Sequence, residues 1–444
     1  MTWRSSKKAI TDIRAIAIKQ RLRHCENVPA ELAQLKFGRA QLTLSVGRTQ
    51  TLALADLGLS ADEREKLVRI IGVHATGLIA EFVDENSSEF AFTPKLTILA
   101  DEARTSLASK IGAGIADLVM EALGYYWRAN AREMSLSPNK RTKSPKKIPD
   151  FVYDPGERMG FEAHSIVVVE AKGSLSRTRA KSSQILALAQ NAYNEQVRGY
   201  VGQKAKGIVV ASGYAVAFGA IPGKRTSNLA VATPQKLKVG SPRLVGAASL
   251  SAAASGAMQP EPMPAPVQRQ SRVQRGGGGG DGDGGEPGGE GIPARPNGRL
   301  AFASYEGAFQ LCGATIVANL IRSILSGRTA HALTPEESVQ EFWALEYHGG
   351  RFLVGSGGPQ WWGWRFDGEF FGVYEPSARA ILQAVSDNLD APPSSITIPI
   401  VPDQLRLGSF EDTRFVVQGD GLAFLQYDRF AETIRWDARS GRWS

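Results

Sequence analysis

Apolar and polar positions change period several times along the chain, and those changes mark the elements. Residues 61–82 place apolar side chains three and four apart, the spacing of a helix with one buried stripe. Residues 102–130 carry the same period, interrupted near Gly112 and Gly114, and predict one long helix or two. The segments 42–46 and 49–54 read as two short strands that pair through a Gly47-Arg48 turn. Residues 150–153 predict a strand, DPGERMG a turn, and residues 161–171 a longer strand. Within that strand the run 166–169 is apolar and β-branched, as a central strand requires. A helix over 177–203 and a buried strand over 207–215 follow. The alternation of helices and strands defines an α/β unit with a mixed sheet flanked by helices.

A break comes at residues 239–299. Small residues (AASLSAAASGAM) give way to QPEPMPAPVQ and then to GGGGGDGDGGEPGGEG, which lacks the apolar surface to offset the entropy of ordering. It reads as a flexible linker; the Asp281 and Asp283 spacing is similar to a calcium-binding glycine repeat but is a single imperfect copy. The expected organisation is an N-terminal extension (1–100), a catalytic-type unit (101–238), the linker, and a separate α+β domain (300–444). In that last part the pattern predicts helices over 307–325, 335–345 and 376–388. Strands are expected between 351 and 372 and near 397–401, 414–417 and 422–427. Trp361, Trp362 and Trp364 crowd into four residues, as a stacking platform or as core with an amphipathic rim.

Charge separates the two halves further. Residues 1–238 hold 35 Lys and Arg against 22 Asp and Glu, a net +13. Residues 292–444 hold 13 Arg, no Lys and 17 acids, a net −4. A field of the first kind favours polyanions, whose condensed counterions are released on binding. The acidic half suits a partner-binding or regulatory role instead. Residues 3–23 are basic, with Asp12 their one acid, and suggest a docking or nucleic-acid-contacting helix, with a transit peptide as the alternative. Two distant cysteines, Cys25 and Cys312, form no metal spacing and suit a reducing, cytoplasmic setting. No apolar run reaches about 18 residues, so no membrane span is expected.

The chemistry gathers at IPDFVYDPGERMGFEAHSIVVVEAKGS. Side chains alternate across a strand, so Glu170 and Lys172 share one face. In a hairpin of suitable register Asp150 brings its carboxylate beside that of Glu170. Two converging carboxylates repel unless a divalent cation joins them, and hard oxygen ligands select magnesium or manganese. Such an ion activates water and polarises a phosphate, with Lys172 placed to orient that water and to offset charge on phosphoryl oxygens. His164 and Glu162 share the Glu170 face by alternation, with His164 read as a partly buried strand histidine.

Pro149-Asp150, followed after nineteen residues by Glu170-Ala171-Lys172 at the end of an apolar strand, resembles the PD-(D/E)xK nuclease superfamily. Gln196-Val197-Arg198-Gly199-Tyr200 on the following helix is similar to the QxxxY motif of RecB-type members, and Glu121 stands where many members carry a further acid near the metal. The resemblance covers residues 102–215. It implies a restriction-endonuclease-like core and magnesium-dependent hydrolysis of phosphodiester bonds in DNA, or RNA. Asp150, Glu170 and Glu121 would hold metal; Asp150, Glu170, Lys172, Gln196 and Tyr200 would form the catalytic set. A role in nucleic-acid processing or antiviral defence follows by analogy alone. The chain departs from the family pattern at residues 131–148, a basic proline-containing loop where another strand is normally found.

Plainer accounts stand beside each feature. Glu170 and Lys172 make a same-face ion pair, Gln196 and Tyr200 lie one helical turn apart as packed residues do, and Glu121 suits any amphipathic helix. On those accounts the unit is a catalytically silent module that binds nucleic acid or scaffolds a complex. Basic residues flank the motif: Lys140, Arg141, Lys143, Lys146 and Lys147 before it, and Arg177, Arg179 and Lys181 after. They suit backbone phosphates, whereas no base-reading module is present.

Overall fold

The computed structural model describes residues 3, 6–22, 30–32, 34–53, 61–134, 136, 147–155, 161, 164–176, 178–205, 208–239, 298–327, 334–347, 349–356, 369–389, 415–426 and 432–444. The linker, the Trp361–Trp364 cluster and the expected strand at 397–401 therefore lie outside the described residues, as do Lys140, Arg141, Lys143, Lys146, Glu162, Arg177 and Cys25.

Two sheets organise the chain. The first is mixed and seven-stranded. Its main strands are β1 (Asp12–Ala17), β2 (Arg128–Asn130), β3 (Phe151–Tyr153), β4 (Ser165–Ser174), β5 (Ile208–Ala220) and β6 (Ser227–Thr233). They lie in the order β1–β6–β5–β4–β3–β2, with Lys204–Ala205 paired onto β5. β4 runs parallel to β5 and β1 parallel to β6, while the other pairs are antiparallel. The short β2 sits beside β3, where the sequence pattern left a strand unaccounted for.

β4 is buried on both faces, and its alternation sorts the two layers. Ile166 and Val168 pack with Ile185 and Ala189 of α4 (Ser182–Ala192). Val167 and Val169 pack with Ile111 and Ile115 of α3 (Asp101–Ala122) on the opposite face. Each such side chain removed from water contributes roughly 1.5–3 kcal/mol. α3 presses hard on the end of β4. A methyl group on Gly173 would run into the Ala108 carbonyl, and one on Gly112 would lie 2.7 Å from the Gly173 backbone. Glycine at both positions is what permits this approach.

Two further helices precede α3: α1 (Arg39–Ala53) and α2 (Ala61–Phe82). The second matches the predicted range. The first overturns the predicted hairpin at Gly47-Arg48. Leu42, Leu44 and Val46 alternate like strand residues, but every position from Leu42 to Thr49 is buried, so the helix has no polar face to betray its period. At the N-terminus the expected basic helix is also absent. Residues Asp12–Ala17 pair along β6 as an edge strand, a long-range pairing that local periodicity does not report.

The described residues between 298 and 444 build the second, antiparallel sheet and its helices. Its strands are β7 (Val339–Tyr347), β8 (Gly350–Gly355), β9 (Glu369–Tyr374), β10 (Phe415–Val417), β11 (Leu422–Gln426), β12 (Glu432–Asp437) and β13 (Arg442–Trp443), in the order β10–β11–β9–β8–β7–β12–β13. Its helices are α5 (Gly298–Leu311), α6 (Thr315–Leu325) and α7 (Glu375–Asp387). The single predicted helix at 307–325 is thus two, parted at Gly313, whose φ of 80° suits only glycine well. The predicted helix at 335–345 survives for one turn, Pro335–Ser338, and then alternates Gln340, Phe342 and Ala344 inward as β7. This half has its own sheet but shares a core with the first half: Ala40, Leu44 and Val68 cluster with Phe302, Phe309, Phe371 and Leu425. No helix of the described residues is long and apolar enough to cross a membrane.

Candidate active site at the end of the mixed sheet

The β3–β4 register sets Phe151 against Val169, so the next residue outward on β3, Asp150, stands opposite Glu170. Alternation carries Glu170 onto the face that Ile166 and Val168 share with α4. The Ala171 amide donates to Asp150 Oδ2 at 2.9 Å, fixing that carboxylate at the strand end. Lys172 Nζ donates to Glu170 Oε1. The Glu170 side chain is 1% exposed and that of Lys172 31%, so the pair runs from the interior to the surface. The other oxygen, Glu170 Oε2, is buried and has no hydrogen-bond partner among the described residues.

Burial raises the pKa of both carboxyls. Glu170 is pushed up to about 8, first by burial and then by the neighbouring Asp150 charge, with Lys172 pulling the other way. Asp150 is also raised by burial, opposed by the Ala171 amide, then by Lys172, Glu170 and, more weakly, Lys147. Burial and the mutual repulsion of two close carboxyls both favour the protonated form of Glu170, against the opposing pull of Lys172.

An orphaned buried oxygen on one carboxylate beside a second carboxylate fits a hard divalent cation. Among the described residues no group of three or more His, Cys, Asp or Glu side chains is arranged to hold a metal. The protein side of such a site would thus be Asp150 and Glu170, with the remaining positions left to backbone, water or substrate oxygens.

The other expected residues sort by sheet face. Gln196 and Tyr200 are buried on the α4 side of the sheet. Gln196 falls within a π-helical turn, Tyr193–Val197, that continues α4. Val197 packs where a side chain on Gly213 would otherwise sit, and Gly213 pairs with Val168, two residues before Glu170. The Tyr193 hydroxyl donates to Gln20 Oε1 at 2.5 Å, and Gln20 Nε2 donates to the Arg198 carbonyl at 3.1 Å, so a residue beyond β1 clamps this turn. Among the described residues no hydrogen bond links Gln196 or Tyr200 to either carboxylate. Burial raises the Tyr200 pKa.

Glu121 is not brought to Asp150 and Glu170. It ends α3, on the opposite face of the sheet, and its carboxylate accepts from Gln418 Nε2 at 3.1 Å. It belongs to a buried cluster in which Arg128 pairs with Asp117, Arg48 pairs with Asp420, and the Tyr153 hydroxyl donates to Asp117 at 2.8 Å. Gln418 Oε1 also accepts from Arg48 at 2.9 Å, which ties the second sheet to α1 and α3. Burial raises Glu121 to about 7, with Arg128 opposing. His164, expected to be partly buried, is exposed at the start of β4 with φ 62°. Lys147, Arg179 and Lys181 are exposed.

Compared with models of protein families, with curated proteins and with solved structures, the chain gives no significant match. The likeness to a nuclease motif therefore rests on this chain's own residues.

Proposed function

We propose that the protein is a metal-dependent nuclease with a restriction-endonuclease-like core, and that Asp150, Glu170 and Lys172 cleave phosphodiester bonds. The observation that carries this reading is the buried Glu170 oxygen without a partner beside Asp150, at a strand end that also presents Lys172. Magnesium or manganese would supply a neutralising charge, polarisation of a phosphate oxygen and a water of lowered pKa. The chain's residues do the rest. Asp150, oriented by the Ala171 amide, and Glu170 form the anionic seat. Lys172 is exposed enough to reach a phosphoryl oxygen or a water while its stem stays anchored on β4. Gln196 and Tyr200 act in this reading as supports of the α4 face, not as contacts of the reacting atoms.

A second reading keeps the fold and drops the chemistry. Lys172 is engaged by Glu170, so a strand-end ion pair in a silent nucleic-acid-binding module accounts for the same contact. One assay separates the two. Purified protein is incubated with plasmid and with single-stranded DNA and RNA, in magnesium, manganese or EDTA, alongside Lys172→Ala. Cleavage that requires metal and falls by roughly 10²-fold or more in the variant supports the nuclease. Cleavage indifferent to EDTA or to Lys172→Ala sinks the mechanism, and binding without cleavage in either metal favours the silent module.

A further inference from the structure

The basic residues near the site do not all sit beside the two carboxylates. The parallel register of β4 and β5 places Ser174 against Gly219, and β6 begins at Ser227 opposite Ala220. The connection between β5 and β6, residues 221–226, therefore projects from the sheet end toward which β4 runs. It is a tight turn: Lys224 donates its amide to the Ile221 carbonyl at 3.0 Å, and Gly223 is held to Phe92 at 2.8 Å with φ 79°. Lys224 and Arg225 stand exposed on this fixed tip. Arg179 and Lys181 lie at the same end, because Ala180 packs against Gly219 and its carbonyl accepts from the Asn228 side chain at 2.8 Å.

Among the described residues none of Arg179, Lys181, Lys224 and Arg225 is in a salt bridge. Of the acids near that end, Asp12 is engaged by Arg14 and the Ser182 hydroxyl, Glu89 by the Thr11 hydroxyl and Asp101 by Arg104, while Glu102 stands exposed in the first turn of α3. Four cations without a salt bridge among the described residues thus share one end of the sheet with Lys172. Glu170 pairs with Ala215, five residues before Ala220, so the turn stands about 17 Å farther along the strand direction at about 3.3 Å per residue. That interval is about five steps of duplex at 3.4 Å per step.

We propose that the 221–226 turn, through Lys224 and Arg225, is a backbone anchor for duplex nucleic acid, gripping phosphates about five steps from those at Asp150 and Glu170, with Arg179 and Lys181 beside it. The proposal rests on the nuclease reading for the position of the scissile bond, but the anchor is tested by binding alone. A fixed tip gives up little conformational entropy when it meets a phosphate, and an extended rigid polyanion suits cations spaced along one sheet end.

The test uses the full chain in EDTA and a fluorescent 20-base-pair duplex, with anisotropy read across salt. Lys224→Ala/Arg225→Ala should weaken binding roughly tenfold and lower the slope of log affinity against log salt by about 2, one per lost phosphate contact. The control Lys204→Ala/Lys238→Ala removes two exposed lysines near the other end of the sheet and should change neither by more than about twofold. Equal losses in both variants would reduce the effect to net charge and overturn the anchor. So would unchanged binding in the turn variant, or no duplex binding by the unmodified protein at low salt. If the anchor variant loses binding while the unmodified protein cleaves nothing in magnesium or manganese, the anchor stands and the nuclease reading falls. If cleavage is seen and the turn variant binds normally, the reverse holds.

Discussion

Each face of the mixed sheet gathers a pair of carboxylates, one buried and one partly buried, and the pairs are treated differently. Under α3, Asp117 and Glu121 meet Arg128, Arg48, Gln418 and the Tyr153 hydroxyl. Under α4, Asp150 and Glu170 meet one partly exposed lysine, a backbone amide and the field of Lys147, and one Glu170 oxygen has no hydrogen-bond partner among the described residues. A pair supplied with its own cations has been completed by the chain and serves to hold it together. A pair left short of positive charge carries the cost of its burial without that return. The two clusters differ in compensation rather than in acidity, since both contain a glutamate with a raised pKa.

The largest expected effect breaks the completed cluster. Arg48→Ala leaves Asp420 buried and unpaired and should cost on the order of 3–5 kcal/mol of unfolding free energy, read by denaturant titration. A loss below about 1 kcal/mol would show that the cluster tolerates the hole and that the two halves do not depend on it.

Next in size, and opposite in sign for stability, is Glu170→Gln. It should reduce cleavage by roughly 10³-fold, while the protein melts no lower than before, because a neutral amide replaces a carboxyl that burial already penalises. Lost activity together with a large drop in melting temperature would instead assign Glu170 to the fold.

A pH dependence separates the faces in a further way. Glu170 titrates near 4.5 when unfolded and about 8 when folded, so the native state binds the extra proton across that window. Its contribution to stability is complete below about 4.5 and is lost as pH rises through about 8. Glu121 acts with the same sign but is spent by about 7. Melting temperatures taken from pH 5 to 8.5 should therefore fall toward alkaline pH. Glu170→Gln should flatten the stretch above pH 7 and Glu121→Gln only the stretch below it. Identical slopes in the two variants would erase the distinction.

How much of this was readable beforehand depends on range. The β4 strand, the shared face of Glu170 and Lys172, and the α2 helix follow from local period and were legible. The carboxylate juxtaposition needed only the register of neighbouring strands. Glu121 was misplaced because choosing a sheet face for α3 requires knowing what the helix packs against, and its partner Gln418 lies 297 residues away. The α1 helix was misread for a related cause: burial on all sides removes the polar stripe that reveals a helix. For the Lys224–Arg225 tip the sequence offers one local turn signal, the Pro222-Gly223 dipeptide between the end of β5 and β6.

The contact between Gly112 and Gly173 sets a mechanical boundary for whatever binds beside it. With the helix backbone seated directly on the strand at the residue after Lys172, β4 has no room to retreat toward α3. Any adjustment near Glu170 must come from β3, from the long lysine stem or from the incoming molecule. The strand end thus behaves as an anvil, stiff from behind.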